Sequence, residues 1–77
     1  MEKQLIELLM QVFSISEIEA KIASMNSTTQ WDSLTHVELM MSLEEEFNIS
    51  KITSDEIVMM IDIENILKVI ISKSAKI

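Results

Sequence analysis

The sequence predicts an all-α fold, a small four-helix bundle of three longer helices and one short one. Three observations carry that expectation. Apolar residues recur at three- and four-residue steps in several separate stretches. Ser, Thr or Asp precedes most of those stretches, where a helix cap belongs. No stretch sustains the period-two alternation of a half-buried strand, although Ile and Val are frequent. With 77 residues, 1–77 reads as a single domain with a small core.

The elements follow in order. Glu2 to Phe13 places Leu5, Leu9, Val12 and Phe13 on one helical face. Ser16-x-x-Glu19 is a capping box, and Ile15, Ile18, Ile22 and Met25 recur at helical steps. That predicts a short helix or helical turns inside a long connection. Asn26 to Gln30 is a polar break. The chain has no glycine and no proline, so Ser, Thr, Asn and Asp must make its breaks. Asp32 can cap a helix from Ser33 to about Phe47, and Asn48 suits the left-handed residue that ends one. Thr53-x-x-Glu56 is a second capping box, opening a short segment that ends near Ile61. Asp62 then caps a last helix whose stripe is Ile63, Ile66, Leu67, Ile70 and Ile71.

Composition narrows the function. Hydrophobic residues make up 48% of the chain, too many for a disordered tail. There is no cysteine, hence no disulfide and no thiolate metal site. Formal net charge is -7, from 13 acidic residues and six lysines. Nucleic-acid backbones require a basic surface, so no nucleic-acid partner is expected. Nine of the 13 acids lie between Asp32 and Glu64, against Lys51 alone among the lysines. Such a surface attracts basic protein faces; it also simply keeps a small protein in solution. Met1 to Met10 lacks a signal pattern, and no apolar run is long enough to span a bilayer. A soluble, cytoplasmic monomer without a membrane partner is expected.

The helix from Ser33 is the informative one. At about 100° per residue, His36, Leu39, Met40, Leu43 and Phe47 form the core face. Leu34, Val37 and Met41 form a second stripe on roughly the opposite side, bordered by Glu38, Glu44 and Glu45. An apolar strip rimmed by carboxylates suits a partner with an apolar groove and a basic rim. The alternative is that the preceding connection folds over the strip. Ser33 lies between the two faces, at a helix end whose free N–H groups and dipole favour a phosphate. For an arbitrary serine at a helix start, support of the cap is the commoner role.

Asp32-Ser33-Leu34, then Val37-Glu38-Leu39, then Leu43-Glu44-Glu45-Glu46-Phe47, closely resemble the arm-bearing helix of acyl carrier proteins. The resemblance runs on through Ser54 to Ile61 and the last helix, and covers essentially the whole chain. It implies a four-helix bundle of acyl-carrier type. It also implies a covalent 4'-phosphopantetheine arm on Ser33, donated by coenzyme A through a phosphopantetheinyl transferase. Acyl cargo would ride on the arm's thiol as a thioester, so the absence of cysteine is no obstacle. By the same resemblance Asp32, Leu34, Val37, Glu38, Met41, Glu44, Glu45 and Glu56 would meet acyl-loading and acyl-using enzymes. Met40, Leu43, Phe47, Ile57, Ile61 and Ile66 would line a cavity for the acyl chain, or serve only as core.

The chain departs from the pattern in places. Gln30-Trp31 stand where fatty-acid members usually have Gly before Asp-Ser-Leu. Trp31 reads as a hydrophobic anchor under the first connection in preference to a recognition residue beside the arm, and His36 as a partly buried residue with satisfied ring nitrogens. These departures suggest a stand-alone carrier of a dedicated pathway, such as polyketide, non-ribosomal peptide or surface-glycan modification, and fatty acid biosynthesis stays among the expected settings. D-alanyl and peptidyl carriers share the serine, and an unmodified helical adaptor would need only the strip. An enzyme is disfavoured: Ser33 and His36 stand three apart on one helix, with no oxyanion hole, so no catalytic residue is assigned. No metal ligand is assigned either, because the acidic runs lack the alternation and glycine of a calcium loop.

Overall fold

The structure is a computed structural model, and it describes residues 1–74. Among them stand five helices: α1 (Glu2–Phe13), α2 (Glu17–Lys21), α3 (Ser33–Glu46), α4 (Ser54–Met59) and α5 (Ile63–Ser74). The all-α expectation holds, with three longer helices. The short helices number two rather than one, because the turns after Ser16 close into α2. Its capping box is complete: Ser16 Oγ accepts from Glu19 N–H, and Glu19 Oε1 accepts from Ser16 N–H at 2.9 Å.

Helix ends are made without glycine. Ser14 follows α1 with φ 55°, and Asn48 follows α3 with φ 51°. Each allows the next N–H to reach back: Ile15 to the Met10 carbonyl at 3.3 Å, and Ile49 to the Glu44 carbonyl at 3.2 Å. The capping box of α4 is also complete, with Thr53 Oγ1 accepting from Glu56 N–H and Glu56 Oε1 from Thr53 N–H. Asp62 Oδ1 accepts from Asn65 N–H at 2.9 Å and starts α5.

The core is built from Leu5, Leu9 and Phe13 of α1, Leu39, Met40 and Leu43 of α3, and Ile66 and Ile70 of α5. Met60 and Ile52 enter it from the segments flanking α4. Helix α1 also buries Ile6 and Leu8, while Val12 is half-buried. The wider face follows from its position, since α1 packs against both α2 and α3.

The apolar stripe expected in the first connection is split: Ile15 is buried and Met25 is half-buried against the core. Ile18 and Ile22 are each 76% exposed, and Ala20 and Ala23 are buried instead. The five-residue α2 takes its rotation from packing on α1, which turns small side chains inward and permits close approach. The rest of the connection is held by short polar groups. Thr28 N–H donates to the Ser24 carbonyl at 2.8 Å, and Trp31 N–H to the Thr28 carbonyl at 3.0 Å. Met25 N–H reaches the Ile61 carbonyl at 2.8 Å, beside an isolated antiparallel bridge between Ser24 and Asp62. These bonds tie the long connection to the α4–α5 junction.

A second tie comes from α5. The Lys73 side chain is only 9% exposed, and its Nζ donates to Glu56 Oε1, Lys51 O and Ser50 Oγ at 3.0, 3.2 and 3.3 Å. Withdrawing an ammonium from water costs several kcal/mol unless it is paired. Three acceptors match its three N–H groups. Lys73 thereby pins the α3–α4 connection and the start of α4 onto α5.

Candidate functional site

The site begins at the N-terminus of α3. Asp32 is its cap: Oδ1 accepts from Thr35 N–H at 2.9 Å and from Thr35 Oγ1–H at 2.7 Å. The backbone bond first, and the hydroxyl second, hold the Asp32 carboxyl below its ordinary range. Ser33 is the first residue of the helix, exposed, and its side chain makes no hydrogen bond among the described residues. Capping is thus carried by Asp32 and Thr35, and the Ser33 hydroxyl is left over.

Below Ser33 the two faces of α3 separate as the wheel predicts. His36, Leu39, Met40 and Leu43 are buried, and Phe47 is half-buried. On the other side Leu34, Val37 and Met41 are 84%, 54% and 65% exposed. The preceding connection does not fold over them. Glu38 and Glu45 are exposed and each stands four residues after a strip residue, on the same side of the helix. Asp32, Ser33, Leu34, Val37, Glu38, Met41 and Glu45 therefore share one open surface.

Two residues expected there have internal partners. Glu44 is half-buried, and its Oε2 accepts from the Ile52 N–H at 2.7 Å. Ile52 is buried, so this carboxylate satisfies the backbone donor of a core residue. Glu56 serves the α4 capping box and pairs with Lys73. The Thr53 backbone N–H, and next the Lys73 ammonium, hold its carboxyl below the ordinary value.

Beneath the site lies a buried polar chain. Trp31 Nε1–H donates to His36 Nδ1 at 2.9 Å, and His36 Nε2 is 2.8 Å from the Ile57 carbonyl. An indole N–H only donates and a carbonyl only accepts. His36 is therefore the tautomer with its proton on Nε2. Trp31 is 2% exposed and packs on Phe13 with ring centroids 5.0 Å apart. The anchor role read for Trp31 and the satisfied ring read for His36 both agree with this geometry. The chain's reach to Ile57 was not legible, since the partner is a carbonyl 21 residues away. Lys73 was missed for the same reason: its acceptors lie 17 to 23 positions earlier.

Among the described residues no helix is long and apolar enough to cross a membrane, and no group of three metal-binding side chains is assembled. No family model, no curated protein and no solved structure matches this chain.

Proposed function

We propose that the chain is a carrier protein that holds acyl groups as thioesters on a 4'-phosphopantetheine arm linked to Ser33. The observation that carries this reading is the unused Ser33 hydroxyl. It is exposed at the N-terminus of a 14-residue helix whose cap is supplied by Asp32. A phosphodiester there would sit where the helix dipole and free N–H groups favour negative charge. In the modification, Ser33 Oγ attacks the coenzyme A phosphate that bears the pantetheine. A new P–O bond forms, the pyrophosphate bond breaks, and adenosine 3',5'-bisphosphate leaves. The strip of Leu34, Val37 and Met41, with Asp32, Glu38 and Glu45 around it, is the docking face for the transferase and for enzymes that load or use the cargo. The motif resemblance supports the same reading across the chain. Fatty acid, polyketide or another dedicated biosynthetic pathway is the proposed setting.

The test is intact mass spectrometry after incubation with coenzyme A and a phosphopantetheinyl transferase. One arm is expected on the wild-type chain and none on Ser33→Ala. Modification that persists in Ser33→Ala would sink the assignment. The exposed strip also fits a second reading, an unmodified helical adaptor. Under that reading no transferase adds the arm, yet Val37→Asp still abolishes partner binding.

A further inference from the structure

The buried chain of Trp31, His36 and Ile57 lies one helical turn from Ser33, on the core side of α3. Ser33 and His36 are three residues apart on α3, neighbours on adjoining turns. The His36 ring fills the space between that turn, the connection carrying Trp31, and the Ile57 carbonyl of α4. Behind it Leu39, Leu43, Met60 and Ile66 have no exposed surface. Both ring nitrogens are bonded, and no buried side-chain polar atom lacks a partner among the described residues. Two surface hollows lie elsewhere. One of about 620 Å³ is lined by α1 and α2, and one of about 320 Å³ runs along the first connection. Neither touches α3, α4 or α5.

We infer that this chain is a latch that keeps the cargo outside the bundle, so the carrier takes short or polar acyl groups rather than long saturated chains. The inference rests on the arm at Ser33. Entry beside α3 would separate the imidazole from both partners, strand the buried indole N–H, and leave the Ile57 carbonyl only its longer bond from the Met60 N–H. A cargo of few carbons, or one bearing hydroxyl or amino groups, gains too little from burial to force that opening. A long saturated chain held outside would remain in water at a cost for every methylene, so it is the cargo this design serves worst.

The test does not depend on the natural arm. The chain lacks cysteine, so Ser33→Cys supplies one thiol for a thioether-linked arm mimic ending in a butanoyl or a dodecanoyl amide. Methyl NMR of Leu39, Leu43, Met60 and Ile66 reads entry. With His36 intact, the dodecanoyl sample should match the butanoyl one. Core-methyl shifts more than twofold larger with dodecanoyl would overturn the inference. Adding His36→Leu should let the longer chain in and produce those shifts; their absence in the folded variant would deny His36 the role. Trp31→Phe keeps the ring packing and removes one bond, and it replaces His36→Leu if that variant does not fold. Separately, wild-type chain that gains no arm from coenzyme A and a transferase refutes the carrier reading, while the tethered chains still score the latch.

Discussion

At the scale of single residues, the acidic surface divides by what each carboxylate already holds. Glu38 is exposed on the strip side of α3, whereas Glu44 satisfies the buried Ile52 N–H. Glu38→Lys should weaken transferase binding, most strongly at low salt, and leave the melting temperature within about 2 °C. Glu44→Lys should cost about 1–3 kcal/mol of stability, because a buried donor loses its acceptor. Chemical denaturation separates the two effects. Glu56 gives a pH prediction. Its folded carboxyl is held below the ordinary value of 4.5, by Thr53 first and Lys73 second. The folded state therefore favours the charged form. The contribution is fully present above about pH 4.5 and is lost as pH falls through the lowered value. Stability of wild type relative to Glu56→Gln should be flat from pH 7 to 5 and shrink below that. A difference that grows on acidification would contradict the assignment.

At the scale of elements, the chain ends helices with residues that are not made for the job. Ser14 adopts φ 55°, a region costing an ordinary L-residue roughly 1–2 kcal/mol, where glycine bears no Cβ penalty. Ser14→Gly should raise stability by about 0.5–1 kcal/mol, read as a melting temperature several degrees higher. Asn48→Gly should gain less, since Asn tolerates this conformation. Caps and long helices were legible in the sequence because their causes are local. Ser16-x-x-Glu19, Thr53-x-x-Glu56, Asp32, Asn48 and Asp62 each act within a few residues, and all stand where expected. The opposite faces of α3 were legible because its 14 residues span nearly four turns. Helix α2 was too short for that. With five residues, its orientation is set by tertiary packing, which buries Ala20 and leaves the periodic Ile18 and Ile22 outside. The Ile57 partner of His36 and the partners of Lys73 were hidden because they are carbonyls, a hydroxyl and an acid far along the chain.

At the scale of the whole molecule, two polar ties hold a small apolar core in register. His36 joins α3 to α4 on one side, and Lys73 joins α5 to the α3–α4 connection on another. Short α4 has no fully buried residue of its own, so these ties do what its packing does not. On the proposed reading, the outward strip and the closed interior separate two tasks: partners would meet the apolar side of α3 and leave the core undisturbed. The same architecture makes the molecule optically self-reporting. Its single tryptophan is sealed between Phe13 and the imidazole of His36. Fluorescence from that one indole should stay at short wavelength when partners dock on the strip. It should move to the red only when the bundle itself opens, so docking and opening can be followed as separate events in an unlabelled chain.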